Sequence, residues 1–558
     1  MGSLCSCFCY PQKVITPIPV FSPPKKVETH NPEPPRRVQT IQLQSPAPVI
    51  LVKSQTRTPP ARRRSHQTSQ GQNVEDLVLI WLDVDSNKTD DDVILNKLRS
   101  IVNYIKIFDQ LDECINYIKS ITNEKIFLIV SDQLSKQLII RVYNEPQIDS
   151  IYVFSSDSTA IVEHHLYAKK HEKIRNIYTS IDPLCKQMKW DTEVCLNDLI
   201  SVASIAEKIN IGDNSTFNNQ ETSFMYLQLM KEILVNMEYA ENTKEEFVEF
   251  CRDRYKNNPR ELESINEFEQ DYSPNEAITW YTRDCFLHKI LNKALRKLNV
   301  DIIYKMRFYI KDLYLQLCSE SLKVHGKTVY RGQGMSQEEF ETRLKQNVGG
   351  LMTMNFFMST SINENVALTF AKAREDPSDE SLLSVLFKIT IDSRIRSQEC
   401  PFASIENKSK FREEEEILIS VGSIFRVKEP EKLPDGMWRV HLIFTGAEDQ
   451  QLKAVTNLIR TEIESPNEMI RLAKLMIQMG EYEMAERFYK KLLKSDMSSQ
   501  KQHCSLSLIY NDLGLIYMKK NENQKALKNF SKSLELLEKY VPNGAAAFAT
   551  RYNNIGSV

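Results

Sequence analysis

The sequence predicts a multidomain α+β chain: a small doubly wound α/β domain, a helical subdomain, a β-rich α+β core and a C-terminal array of helical repeats. Three observations carry this prediction. Five short apolar runs alternate with amphipathic stretches between 76 and 190. Apolar residues then recur at helical spacing to about 324, and strand-like runs return between 327 and 446. Beyond 465, a pattern of small and aromatic residues repeats every 41–42 positions. A chain of 558 residues is too long for a single core and has room for three or four domains.

Composition excludes several classes. The net charge of -2 offers no global attraction to nucleic acid, so no nucleic-acid partner is expected. The mean hydropathy of -0.40 and the lack of an 18-residue apolar run argue against a membrane span. Eleven cysteines include no CxxC pair, which fits reduced thiols in the cytoplasm. The nine histidines show no metal spacing, and the neighbours His164 and His165 would diverge on a helix, so no metal is expected.

Residues 1–10 read as an acylation segment. Met1-Gly2-Ser3-Leu4-Cys5-Ser6 has the myristoylation pattern, with Gly2 as acceptor, and Cys5, Cys7 and Cys9 are expected palmitoylation sites. One myristoyl chain holds a bilayer weakly, so a second acyl chain is needed for stable attachment. The expected location is cytoplasmic and membrane-associated through this lipid. Residues 11–75 read as a disordered linker. Twelve of the 22 prolines fall before residue 61, and Lys25, Lys26, Arg36, Arg37, Arg62, Arg63 and Arg64 outnumber Glu28 and Glu33. Such a basic tether either favours an anionic leaflet or serves as a plain solvated spacer.

The runs 77–83, 104–108, 125–131, 150–155 and 174–179 predict a five-stranded parallel sheet with helices between the strands, over 76–190. The order is similar to a receiver or flavodoxin-like domain. Asp83 and Asp85 close the first strand and Ser131-Asp132 the third, but Thr179-Ser180-Ile181 replaces the lysine that a receiver carries after its fifth strand. An interaction or regulatory domain is the better reading. From 195 to 324 the periodicity predicts helices over 277–298 and 301–322, with Trp280, Phe286, Ile290, Phe308 and Leu315 as packing residues.

The core, 325–450, is expected to hold strands at 327–331, 350–360, 382–391, 415–428 and 437–445, and helices near 336–345 and 364–374. Three pieces stand out: Tyr330-Arg331-Gly332, Ser359-Thr360-Ser361, and Glu414-Glu415-Glu416 running into Ile417-Leu418. They offer a fixed cation, a hydroxyl platform and paired carboxylates. Alternation along a strand puts Glu414 and Glu416 on one face. That set suits a substrate with a pyrophosphate, a ribose and a bond that breaks with developing positive charge. Gly332-Gln333-Gly334 is too short for a Rossmann fingerprint.

In these motifs the core resembles the arginine-specific mono-ADP-ribosyltransferases of the R-S-E class. That family carries an arginine on its first core strand, a Ser-Thr-Ser on the next and a Glu-x-Glu before an aliphatic pair. Phe370, nine residues after Ser361, and Phe411, three before Glu414, also agree. The resemblance implies a reaction in which NAD gives a single ADP-ribose to a protein arginine and nicotinamide leaves, with NAD as substrate and no metal. Arg331 is implied to anchor the dinucleotide, Gly332 to meet the nicotinamide amide and Phe370 to stack on the nicotinamide ring. Ser359 is implied to hold the ribose and steer Glu416, which stabilises the oxocarbenium-like transition state. Glu414 is implied to orient the acceptor guanidinium and take its proton, and Phe411 to help seat the target. An acceptor protein with an exposed arginine is thus the expected partner. NAD hydrolysis without protein transfer, or an inactive lipid-anchored scaffold, remain alternatives.

Residues 465–558 resemble tetratricopeptide repeats of the longer type. Ala485 aligns with Ala526, Phe488 falls near Phe530, and Asn511-Asp512-Leu513-Gly514 recurs as Asn553-Asn554-Ile555-Gly556. Protein partners are expected on this array. The sequence stops inside a third repeat, so the array is expected to be incomplete here.

Overall fold

The structure, a computed structural model, describes residues 73–83, 92–155, 173–199, 202–206, 219–320, 327–373, 382–391, 401–406, 408, 415–446, 449–494, 500–540 and 545–558. The acylation segment, with Gly2, Cys5, Cys7 and Cys9, and the linker up to residue 72 lie outside the described residues.

Five parallel strands form the first sheet: β1 (Leu77–Leu82), β2 (Ile105–Phe108), β3 (Lys125–Ser131), β4 (Ile148–Phe154) and β5 (Ile174–Tyr178), in the order β2-β1-β3-β4-β5. Their apolar residues alternate between two covered faces, as parallel strands require. Helices α1 (Asp92–Arg99) and α4 (Ile181–Asp198) cover Leu79, Trp81 and Phe127 on one side. Helices α2 (Leu111–Ser120) and α3 (Asp132–Val142) cover Ile80, Leu128 and Val130 on the other. Helix α4 is the long one, with 18 residues. The buried Tyr152 hydroxyl ties it to β4 by donating to Asp191 over 2.7 Å.

A short strand, β6 (Val202–Ile205), follows α4 directly, in a stretch read from sequence as helical. Among the described residues seven α-helices come next: α5 (Asn219–Asn236), α6 (Thr243–Arg254), α7 (Pro259–Asp271), α8 (Ala277–Thr282), α9 (Phe286–Arg296), α10 (Val300–Lys305) and α11 (Arg307–Glu320). The two long helices expected at 277–298 and 301–322 are each broken. The break before α9 has a cause: the buried Glu261 carboxylate accepts the Phe286 N–H over 2.7 Å and so caps a new helix there. Trp280, Phe286, Ile290 and Phe308 are buried as expected, but Leu315 is 48% exposed because it points away from the face that α11 packs. The α/β domain docks on these helices through polar contacts. Tyr255 donates to Glu75 over 2.6 Å, Lys293 donates to the Glu75 carbonyl over 2.6 Å, and Arg296 pairs with Asp76 in a buried ion pair.

The second sheet holds β7 (Thr328–Ser336), β8 (Leu351–Met354), β9 (Met358–Ser361), β10 (Leu382–Thr390), β11 (Phe402–Ser404), β12 (Glu416–Ile419), β13 (Ile424–Val427), β14 (Glu431–Lys432) and β15 (Trp438–Thr445), with β6 at its edge. Its order is β11-β12-β9-β7-β10-β15-β13-β8-β6. The expected strand 350–360 is two strands, β8 and β9, in different halves of the sheet. The expected strand 415–428 likewise divides into β12 and β13 around Gly422, whose φ of 70° favours glycine. Helices α12 (Gln337–Arg343) and α13 (Glu364–Ala371) pack beside β7.

The feature that makes a site is a split. β7 and β9 pair only at Tyr330↔Ser361, so β11-β12-β9 diverges from the other strands along most of β7.

Beyond the sheet, α14 (Gln450–Ile463) leads to antiparallel helices α15 (Glu468–Gln478), α16 (Tyr482–Lys494), α17 (Gln500–Lys519), α18 (Asn523–Tyr540) and α19 (Ala545–Gly556). The turns after α15 and α17 both use a left-handed residue at the same repeat position, Gly480 at φ 79° and Asn521 at φ 59°. Ala485, Ala526, Phe488 and Phe530 are all buried between helices. These helices share one continuous core with α5–α11, through contacts such as Tyr304 against Phe488 at 4.7 Å.

Candidate active site

The three motifs converge where the sheet splits. Arg331 lies on β7, Ser359 on β9 and Glu416 at the start of β12. In the β9–β12 register Ser359 faces Leu418, so Glu416 is its diagonal neighbour on the same face. The Ser359 hydroxyl donates to Glu416 Oε1 over 2.5 Å, the short distance of a charge-assisted bond.

Arg331 is 8% exposed and bridges the split. Its Nε donates to Gln333 Oε1 over 3.1 Å, Nη1 to the Ser359 carbonyl over 3.0 Å, and Nη2 to the Asn197 carbonyl over 2.8 Å. The guanidinium also lies over the Phe356 ring, 5.6 Å from its centroid. Burial pushes its pKa down to about 10, against the opposing pull of Asp198. It remains a cation at neutral pH. Beside it, Gln333 is fully buried and its Nε2 has no hydrogen-bond partner among the described residues.

Glu415 adopts φ 44°, a left-handed conformation rare for a residue with a side chain. The β-strand begins only at Glu416, so the strand alternation expected to align Glu414 with Glu416 does not extend back through Glu415. Glu414 and Phe411 themselves lie outside the described residues.

Gly332 is required by packing. A Cβ there would stand 1.7 Å from the Ala367 carbonyl oxygen, so only glycine lets α13 lie against β7. This contact positions Phe370, one turn further along α13. The Phe370 ring is stacked by Trp190 of α4, with centroids 5.9 Å apart and planes 26° apart.

Sequence reasoning missed four neighbours. Trp190, Asn197 and Asp198 come from α4, and no local pattern in α4 marks them. Asn197 Nδ2 donates to the Gly332 carbonyl over 2.8 Å, and Asp198 Oδ1 accepts the Gly334 N–H over 2.8 Å. The fourth is Tyr281 of α8, which donates to the Phe357 carbonyl over 3.0 Å. Burial, with the nearby Glu416 carboxylate adding to it, pushes its phenol up to about 12. Tyr281 lies within the stretch expected as a helix over 277–298, where the periodicity singles out Trp280, Phe286 and Ile290 instead. Among the described residues no cluster of His, Cys, Asp and Glu could hold a metal ion.

Residues 227–449 match the family model of the NAD:arginine ADP-ribosyltransferases, so an ADP-ribosyltransferase domain occupies this stretch. No curated protein matches the chain. Solved structures similar to part of it include exoenzyme S from Pseudomonas aeruginosa, in complex with human 14-3-3 protein beta and bound to carba-NAD. It is 16% identical over 38% of this chain and 96% of that one, at TM-score 0.25. The Clostridium limosum C3 exoenzyme is 13% identical over 36% of this chain and 94% of that one, at TM-score 0.23. The type III effector XopAI from Xanthomonas axonopodis pv. citri is 11% identical over 40% and 97%, at TM-score 0.27.

Proposed function

We propose that this chain transfers a single ADP-ribose from NAD to an arginine of an acceptor protein and releases nicotinamide. The observation that carries the reading is the Ser359–Glu416 hydrogen bond, 2.5 Å long, set beside Arg331 at the mouth of the split sheet. The bond from nicotinamide nitrogen to ribose C1′ breaks, and positive charge builds on the ribose. The Glu416 carboxylate, held by Ser359, stabilises that charge where it develops. Nicotinamide leaves as a neutral base. The acceptor guanidinium nitrogen forms the new bond to C1′, and its proton passes to Glu414, because a protonated guanidinium is a poor nucleophile. Arg331 and Gly332 anchor the dinucleotide, Phe370 stacks on the nicotinamide, and Phe411 seats the acceptor.

The test is NAD carrying label on its adenylate half, incubated with an arginine-rich acceptor. Wild type is expected to label the acceptor. Glu414→Gln should lose acceptor labelling yet still release free ADP-ribose. Free ADP-ribose alone from wild type would instead support NAD hydrolysis as the activity, and neither product would leave a scaffold role.

The rest of the chain serves placement. The five-stranded domain is a receiver-like regulatory unit, and the C-terminal helices are tetratricopeptide repeats that bind protein partners. Gly2 myristoylation with acylation of Cys5, Cys7 or Cys9 holds the enzyme at the cytoplasmic face of a membrane. Unchanged membrane recovery of Gly2→Ala after cell fractionation would defeat this last point.

A further inference from the structure

The free edge of β7 shows what its own chain does to the site. Along one edge of a strand, the carbonyl of residue i and the N–H of residue i+2 point the same way. Past Tyr330 that edge of β7 has no strand partner among the described residues, so Gly332 C=O and Gly334 N–H face the split. The end of α4 meets both, through Asn197 Nδ2 at 2.8 Å and Asp198 Oδ1 at 2.8 Å. Trp190 stands seven residues before Asn197, two helical turns back on the same side of α4. Its ring covers Phe370 at 5.9 Å. A third planar ring between the two needs a separation of about 7 Å, twice the ~3.5 Å carbon contact distance. The Asn197 side chain is a primary carboxamide, the group that nicotinamide itself carries.

We propose that the last turns of α4 are an intramolecular plug: Trp190 and Asn197 occupy the Phe370 face and the Gly332 carbonyl in place of the nicotinamide of the substrate. This rests on the NAD-binding reading above. α4 belongs to the five-stranded domain, pinned by the Tyr152–Asp191 bond, and continues into β6, which pairs with β8 of the second sheet. The plug therefore sits at the seam between the two domains. A partner or ligand that shifts the α/β domain withdraws it, and by reciprocity NAD binding loosens α4. A substrate that binds only the unplugged fraction has its dissociation constant raised by the inverse of that fraction.

The experiment uses the full chain. NAD affinity by equilibrium dialysis, and KM and kcat for nicotinamide release, are measured on wild type, Trp190→Ala, Asn197→Ala and the exposed control Lys186→Ala. Thermal unfolding verifies that each is folded, and amide exchange over α4 is followed with and without NAD. One neutral hydrogen bond or one aromatic pair is worth roughly a tenfold change when lost. Trp190→Ala and Asn197→Ala are each expected to bind NAD about fivefold to tenfold tighter, with KM falling alike and kcat little changed. Lys186→Ala should match wild type, and NAD should speed exchange at the end of α4. Unchanged or weaker NAD binding in folded Trp190→Ala and Asn197→Ala overturns the plug. If wild type still releases nicotinamide and Glu416→Gln does not, the proposed function survives that result. If no variant binds or cleaves NAD, the function and the plug fail together.

Discussion

Glu416→Gln is the sharpest perturbation of this site. It preserves shape and leaves an oxygen to accept the Ser359 hydroxyl, but removes the charge from the 2.5 Å bond between β9 and β12. If that carboxylate faces developing positive charge, its loss costs about 100- to 1000-fold in rate, or roughly 3–4 kcal/mol. Stability should change far less. A hydrogen bond to a charged group exceeds a neutral one by about 1 kcal/mol, and Glu416 is only half-buried. For a domain of this size that is a fall in melting temperature of about 2–4 °C. Ser359→Ala keeps the charge but loses its orientation, and about a tenfold rate loss is expected from one hydrogen bond. The assay is nicotinamide release from NAD, in the wild-type chain and in a Trp190→Ala background, with thermal unfolding in parallel. Glu416→Gln within threefold of its parent in both backgrounds would refute the assignment of Glu416 to the ribose charge. A rate loss matched by gross unfolding would refute it equally.

Gly332→Ala forces a methyl to 1.7 Å from the Ala367 carbonyl oxygen, so α13 must shift and carry Phe370 with it. A stability loss of at least about 1–3 kcal/mol is expected, read by denaturant unfolding, with KM for NAD raised. Gly514→Ala puts its methyl 2.4 Å from the Phe530 ring between α17 and α18, and about 1–3 kcal/mol should again be lost, with NAD cleavage unaffected at temperatures where the chain stays folded. His288 is held near a pKa of about 4 by burial and by the adjacent Lys289. It is therefore neutral in the folded chain, while the unfolded chain takes up a proton below about pH 6.5. Stability should fall as pH drops from about 6.5 toward 4, by up to about 3 kcal/mol. His288→Asn should flatten that slope in denaturant titrations at pH 7 and 4.5, and an unchanged slope would remove His288 as the cause.

The sequence alone determined what depends on neighbours within a few turns. The apolar runs near 77, 104, 125, 150 and 174 lie in the five parallel strands, because strands buried on both faces are apolar throughout. Arg331, Ser359 and Glu416 were legible as three separate motifs through a family resemblance, and in the fold Ser359 bonds both of the others, through its hydroxyl to Glu416 and its carbonyl to Arg331. The tertiary structure decided the rest. Nothing local to Trp190 or Asn197 shows that they touch Phe370 and Gly332, because such contacts depend on how whole elements dock across 135 or more positions. The reason for Gly332 is equally remote: it is the approach of α13, which only the packed structure brings within reach. The left-handed Glu415 and the two breaks in expected strands arise where the sheet must divide, since strands in separate halves cannot share one straight backbone. Periodicity tells which face of an element is apolar, and docking alone tells what that face meets.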